Sequence, residues 1–349
     1  MRYCLVFGWP AKCREEIKTN QPSSIVKNQY NYLEMLLGLG LLCLSFQLTA
    51  ASPYPAVDVP MTPIQVSEHS YYVRGLPRVA TENAGFVSNA GFVVTEEGIV
   101  VFDTLGTPAL GYKLLEIIRE ISDAPIKRVY ISHYHADHFY GTEAFVETGA
   151  EIISSTGAQQ YLGSDTAMQR LEERRISLFP WVDDHSELIF PDRYLEAEET
   201  YSIGGVDLRI VNVGSAHSDG DMIMFVEQDA VLFSGDIIFR DRIPFLGSAN
   251  SGAWLELLDQ MATADVTAII PGHGTAAPDP AEMVSLTRDY LAFVREQMKL
   301  AVDDWVPFDE AYEAIDWGDF AEYPAFNEAN RRNAYGVYLS LEQESIEAQ

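Results

Sequence analysis

Two runs of short strands, each followed by strand–helix units, divide residues 68–302 into halves of the same kind. In the first, "YYVRG", "AGFVSNAGFVVTEEGIVVFDT" and "RVYISH" have strand character, and the helix-like "PALGYKLLEIIREIS" lies between the last two. "EIISS" and helical pieces over 156–176 follow, with "FYGTEAFVE" expected to be a helix just before them. The second half repeats the scheme with "VDLRIVNVG", "DMIMFVEQ" and "AVLFSGD", a helix near 251–263, the strand "VTAIIPG" and a helix over 280–302. In that last helix Val284, Leu291, Val294, Met298 and Val302 keep helical spacing. Each half would make a sheet with one face to bury against the other and one against helices. The expected fold class is therefore α/β, a four-layer αββα sandwich. A chain of 349 residues that is 47% hydrophobic has the apolar surface to fill it.

The flanks differ in kind. Met35–Ser52, "MLLGLGLLCLSFQLTAAS", is an uncharged apolar run ending in small residues, the pattern of an export signal. Residues 1–51 are expected to be a leader cleaved near Ala50 or Ala51, which places the mature protein in the periplasm or outside the cell. A retained membrane anchor is the alternative, and Met35 is an alternative start. Residues 52–67, Pro-rich, are expected to be a linker. Residues 303–349, acidic but carrying Trp305, Tyr312, Trp317, Tyr323 and Phe326, are too apolar for a free tail. They are expected to form a helical extension packed on the domain, with a helix at 327–345; a partner-binding face is the rival reading.

Composition narrows the chemistry. All three cysteines, Cys4, Cys13 and Cys43, fall in the leader, so a metal site in the rest of the chain must use His, Asp or Glu. Leu41-Leu42 before Cys43 argue against lipidation. The leader holds 5 of the 23 Lys and Arg and 3 of the 52 Asp and Glu, which leaves 18 basic and 49 acidic residues beyond it, a balance of −31. Such a field repels phosphate backbones. It argues against nucleic-acid and anionic-membrane partners and for a soluble protein, with adaptation to salt as one reading of the charge. The expected partner is a small-molecule substrate, with no stable membrane association after cleavage.

Seven histidines serve the whole chain, and three of them stand with an aspartate inside six positions, "HYHADH", residues 133–138. A three-His, one-Asp pattern at fixed offsets arises by composition with a chance on the order of 10⁻⁴, taking ~2–6% usage per residue type. The cluster follows the strand "RVYIS", on the carboxyl edge where open α/β sheets place ligands. His133 and His135, two apart on extended chain, project to one side and suit one metal ion; Asp137 and His138, beyond a bend, suit a second. His217 after "RIVNV", Asp236 expected to end "AVLFSGD" and His273 after "TAIIPG" stand at comparable strand ends. His69 and His185 do not fit the pattern and are taken as ordinary polar residues.

The HxHxDH cluster, a His after a Gly-rich bend, an Asp on a strand and a final GH together resemble the metallo-β-lactamase-fold hydrolase superfamily over about 68–275. The resemblance implies two zinc ions: His133, His135 and His217 on the first, Asp137, His138 and His273 on the second, and Asp236 bridging. It also implies that Asp137 orients a hydroxide and passes a proton to the leaving group. Asp236 stands where class B1 lactamases have a cysteine, which is more like glyoxalase-II-like hydrolytic members. "FRDRIPFLGSANSGAWLELLDQM" resembles an exported subgroup, the sulfur-oxidation-associated or quinoprotein-relay metallohydrolases. Asn89-Ala90-Gly91-Phe92 matches the entry to the superfamily's first hairpin.

These residues suit hydrolysis on their own terms. Zinc takes imidazole and carboxylate, and two zincs share a water whose pKa falls toward neutrality. The expected activity is therefore a dinuclear zinc hydrolase cleaving an ester, thioester, lactone or β-lactam bond with a metal-bound hydroxide. The rivals are an iron-dependent oxygenase acting on a persulfide, against which a complete second ligand set argues, and a non-catalytic binding protein on the same fold. Ser218 and Asp221 either support ligands or cap a turn. Tyr134, Phe139, Phe245 and Trp254 are read first as core, with an apolar cavity mouth as the alternative.

Overall fold

A computed structural model describes residues 52–347 except Ser248. Cys4, Cys13, Cys43 and the apolar run up to Ala51 lie outside the described residues. Among those described, no helix is long and apolar enough to cross a membrane.

Twelve described strands make two sheets. The first has the order β1 (Pro63–Gln65), β2 (Ser70–Val73), β3 (Ala90–Val94), β4 (Ile99–Phe102), β5 (Ile126–Ile131), β6 (Glu151–Ser155), β7 (Arg193–Leu195). The second runs β12 (Ala268–His273), β11 (Val231–Phe239), β10 (Asp221–Val226), β9 (Val206–Gly214), β8 (Glu198–Ile203). Antiparallel hairpins build the start of each sheet; β4, β5, β6 and β7 are parallel to one another, as are β11 and β12.

The period of two that makes a strand also sorts its side chains into different cores. Val100 and Phe102 of β4 and Tyr130 of β5 meet Met222, Met224 and Phe233 of the other sheet. Ile99, Val101, Val129 and Ile131, one residue out of step, face the opposite way. There they pack on α1 (Pro108–Ile121), whose Leu110, Leu114, Leu115 and Ile118 repeat at helical spacing. Thr107 caps this helix through its hydroxyl, and Pro108 occupies the first turn, where no N–H is needed. On the other sheet Leu232 and Ile269 turn outward to Trp254, Leu258, Tyr290 and Leu291. Three cores separate four layers, and the αββα sandwich follows.

Several elements differ from the sequence expectation. The second half of the histidine cluster lies on one helical turn, α2 (Ala136–Phe139), which a 3₁₀ stretch, Tyr140–Thr148, follows in place of a regular helix. Gly141 backs so closely on Thr104 that a Cβ there would collide with its carbonyl, and Gly141 N donates to Leu105 O at 2.9 Å. That cross-chain bond takes the place of a helical one. The expected pieces at 156–176 are α3 (Thr156–Leu162) and α4 (Asp165–Ser177). β11 does not end at Asp236 but runs to Phe239, with its register to β12 shifting on both sides of Gly235. Residues 52–67 lie on the domain: β1 pairs with β2, and Lys113 Nζ donates to Val59 O at 2.6 Å.

The second half continues with α5 (Ser251–Met261), α6 (Pro280–Asp303), α7 (Phe308–Ala314) and α8 (Phe326–Glu347). α8 buries Ala334, Val337 and Leu341 in the same core as α6. Its Asn333 accepts from Leu246 N and donates to Pro244 O, both at 2.8 Å, and so ties the C-terminal helix to the loop after β11.

Candidate metal centre

The edge formed by the ends of β5, β9, β11 and β12 gathers all seven candidate residues into two adjoining groups, His133–His135–His217–Asp236 and Asp137–His138–His273. His133 leaves β5, while His135 keeps an extended backbone as the N-cap of α2, so the two rings fall on one side. The turn of α2 then carries Asp137 and His138 to the other.

His135 Nδ1 lies 2.9 Å from His133 Nε2 and 2.9 Å from His217 Nε2. Asp236 Oδ2 completes this group at 3.3 Å from His217 Nε2 and 3.7 Å from His133 Nε2. The other oxygen, Oδ1, faces the second group, 3.0 Å from His138 Nε2 and 3.4 Å from His273 Nε2. Asp137 Oδ2 stands 3.3 Å from His273 Nε2 and 3.8 Å from His138 Nε2. One carboxylate therefore touches both groups. It can do so because residue 272 is glycine: a Cβ there would collide with Asp236 Oδ1.

Hydrogen bonding alone does not satisfy this arrangement. His135 Nδ1 carries one proton or one lone pair and has two imidazole neighbours at the same distance. Buried His138 Nε2 and Asp236 Oδ1 have no hydrogen-bond partner despite their proximity. Four donor atoms around a cation bound at 2.0–2.1 Å would stand about 3.3 Å apart, close to the spacings here. Protonation agrees. Burial drives His133 well below the usual imidazole range, His135 to about 4 and His217 to about 3, which keeps their lone pairs free. Burial would raise Asp137 and Asp236, but the nearby His138 and His273 outweigh it and hold both carboxyls low. In return burial lowers His138, and Asp236, Asp103 and Asp137 more than reverse it. Buried carboxylates that need positive charge, beside neutral imidazoles, fit a metal cation.

Residues around the groups fix their orientation. His138 Nδ1 and Ser132 Oγ each lie 2.8 Å from Asp103 Oδ2, and Asp103 Oδ1 accepts from Ser132 N at 2.7 Å. Asp103 sits just past β4 in the left-handed backbone region, φ 67°. His273 Nδ1 donates to Val87 O at 2.8 Å. Asn89 clasps the loop that carries His273, donating to Pro271 O at 2.7 Å and Gly274 O at 2.9 Å. Asp221 accepts from Ser218 N, Ser218 Oγ and Ala216 N but does not touch the His217 ring, so it caps the turn that presents the ligand. Asp103 was not singled out from sequence, although it follows β4 as His133 follows β5, on the same edge.

A cavity of about 970 Å³ opens on this edge. His135, Asp137, Asp236 and His273 reach its floor, and Tyr134 stacks on Tyr161 in its wall at 4.1 Å between ring centres. Of Tyr134, Phe139, Phe245 and Trp254, Phe139 and Trp254 are buried in the cores, Tyr134 belongs to the first core and also lines the cavity, and Phe245 lines it while packing partly on the second. His69 lies elsewhere, 2.9 Å from Asp229.

Two facing sheets with a paired His/Asp constellation on one edge define an αββα protein with a candidate metal centre. The Metallo-beta-lactamase superfamily model matches residues 83–273, and the chain belongs to that superfamily. It is 22% identical over 258 residues to the linear primary-alkylsulfatase of Pseudomonas sp. (strain ATCC 19151), covering 63% of this chain and 48% of that protein. It is 20% identical over 193 residues to metallo-beta-lactamase IND-1 of Chryseobacterium indologenes, covering 54% of this chain and 72% of that one. The solved stereoselective inverting sec-alkylsulfatase from Pseudomonas sp. superposes with a TM-score of 0.63 at 18% identity, over 80% of this chain and 50% of the other. The chain thus spans about half the length of the alkylsulfatases it matches.

Proposed function

We propose that the protein is a two-zinc hydrolase that cleaves an ester, thioester, lactone or β-lactam bond, and that it works in the periplasm or outside the cell once its leader is removed. The observation that carries this reading is Asp236, with one oxygen toward each ligand group. In our assignment His133, His135 and His217 hold one ion, Asp137, His138 and His273 the other, and Asp236 both. When bound, two such ions lower the pKa of a shared water and polarise the bond to be broken.

The chain's own residues supply the rest. His133, His138, His217 and His273 are buried, whereas His135 and Asp137 are partly open to the cavity, so a substrate meets the centre on that side. The Asp137 carboxylate, 3.3 Å from His273 Nε2 and kept ionised by its histidine neighbours, is placed to orient the attacking water and to hand its proton to the leaving group. An alkylsulfatase and a metallo-beta-lactamase among the relatives support a hydrolytic reading of the site.

The test is metal analysis of the purified protein together with a panel of chromogenic ester, thioester, lactone and β-lactam substrates. Two zincs per chain, loss of turnover on chelation and recovery with zinc are expected. Oxygen uptake in step with turnover, or recovery with ferrous iron alone, would instead identify the oxygenase.

A further inference from the structure

From Ser52 onward, acids outnumber bases 49 to 18, yet the cavity reverses that balance. Arg78, Arg170, Arg174, Arg242 and Arg332 line it against three acids, Asp137, Asp219 and Asp236, two of them in the candidate ligand set. Elsewhere arginines are neutralised: of the ten described arginines that do not line the cavity, eight hold a carboxylate within 4.0 Å. Among the described residues no carboxylate comes that close to Arg174, Arg242 or Arg332, whereas Arg170 pairs with Glu173 at 2.7 Å and Arg78 only brushes Glu82 at 4.0 Å. The Nε atoms of Arg174 and Arg242 are buried and have no hydrogen-bond partner.

These arginines come from four separate segments, Arg78 from the loop between β2 and β3. Arg170 and Arg174 are four apart on α4, on one face; Arg242 follows β11 from the other half; Arg332 comes from α8 and lies over the Phe245 ring at 5.2 Å. Arg332 and Arg78 are exposed and solvated, but the buried, unpartnered Nε atoms of Arg174 and Arg242 carry a desolvation cost that an anion bound in the cavity would offset. A guanidinium is a planar fork of donors that matches the paired oxygens of an oxyanion, and the match is stronger where water is excluded.

We infer that the substrate of the hydrolase proposed above carries an oxyanion, a carboxylate, sulfate or phosphate group, held by Arg174 and Arg242 from opposite halves of the fold beside the metal centre. Arg170 and Arg332 add positive potential at the mouth, drawing an anion in against the field of the rest of the surface. This inference rests on the hydrolase reading for the word substrate, but the anion site itself does not.

Zinc-loaded wild type and the variants Arg174→Gln, Arg242→Gln and Arg242→Lys test it, each first checked for metal content and melting temperature. Each protein is titrated calorimetrically with sulfate, phosphate and acetate, and assayed on two esters of one leaving group that differ only by a carboxylate on the acyl side. Binding of at least one anion should weaken tenfold or more in both Gln variants, with Arg242→Lys in between, and the tightest of the three identifies the oxyanion. KM for the anionic ester should rise by a similar factor, while KM for the neutral ester stays within twofold. Anion affinity unchanged in both Gln variants, or equal losses on the two esters, would overturn the proposal. If neither ester is cleaved but anion binding still follows the arginines, the hydrolase reading fails and the anion site stands.

Discussion

Asp103 lies 2.8 Å from His138 Nδ1 and, through Ser132 Oγ, is one hydroxyl away from His133 Nδ1. A single buried carboxylate thus orients one histidine in each candidate ligand group. Burial pushes its pKa up, against the pull of His138 and Ser132. Asp103→Asn keeps the shape and removes the charge. Metal affinity, measured by competition with a chelator, should fall about 10–100-fold, the range for losing an outer partner of a ligand histidine. Unchanged affinity would show that Asp103 merely fills space.

Asp236→Ala and His273→Ala test the assignment of two metal positions. Among the seven candidate ligands Asp236 is the carboxylate with one oxygen toward each group, so on the proposed assignment its loss should lower metal content at both, whereas His273→Ala should weaken mainly the second. Metal stoichiometry on the two variants decides; equal single-site losses in both would mean that Asp236 does not bridge.

Asp137→Asn keeps a side-chain oxygen at the candidate metal centre and removes the carboxylate to which we assign proton transfer. Turnover should drop by about 10²–10⁴, the usual contribution of a positioned acid–base group, with KM little changed. A variant that keeps both metals and near-normal turnover would remove Asp137 from proton transfer.

Asp221 gives a pH signature outside the ligand set. Burial raises it to about 6, although Ser218 and Ala216 donate to it. A carboxyl whose folded pKa lies above its unfolded value binds more protons in the folded state, so its contribution to stability falls as pH rises from about 4 to about 6. Asp221→Asn does not titrate. The melting temperature of that variant relative to wild type should therefore rise between pH 4.5 and pH 7; a difference that is flat or falls with pH contradicts the shift.

Phe233 sits fully buried between the sheets, directly against Gly91, where a Cβ would strike its ring. Phe233→Ala should cost about 3–5 kcal/mol, typical of a large aromatic removed from a core, as read from denaturant midpoints. A loss below about 1 kcal/mol would mean that the sheets close over the gap.

The layers were legible because their signals are periodic. Strands buried on both faces, such as "GIVVF" and "VYIS", are continuous apolar runs, and α6 repeats its apolar residues at 3.6. β8, whose burial alternates on a largely polar sequence, and the three-residue β7 carry too little apolar pattern to stand out. The seven candidate ligands stood out because histidine is scarce here and each follows or lies on a strand. Asp103 did not, since one more acid among 52 has no contrast. The arginines of the cavity are spread from 78 to 332, and only the folded chain shows that they share a wall.

The clasp of Asn89 on Pro271 and Gly274 joins the loop before β3 to a segment some 180 residues later, and the first ligand group likewise waits for His217 and Asp236. The amino-terminal half of a growing polypeptide carries four of the seven candidate ligands but completes neither group, since His217, Asp236 and His273 come later. Contacts of such high sequence separation form slowly, so we expect the centre to be completed late in folding. Metal capture would then report on finished tertiary structure. A nascent or misfolded chain offers His133, His135 and His138 only as loose local ligands, and the full affinity belongs to the chain whose two halves have met.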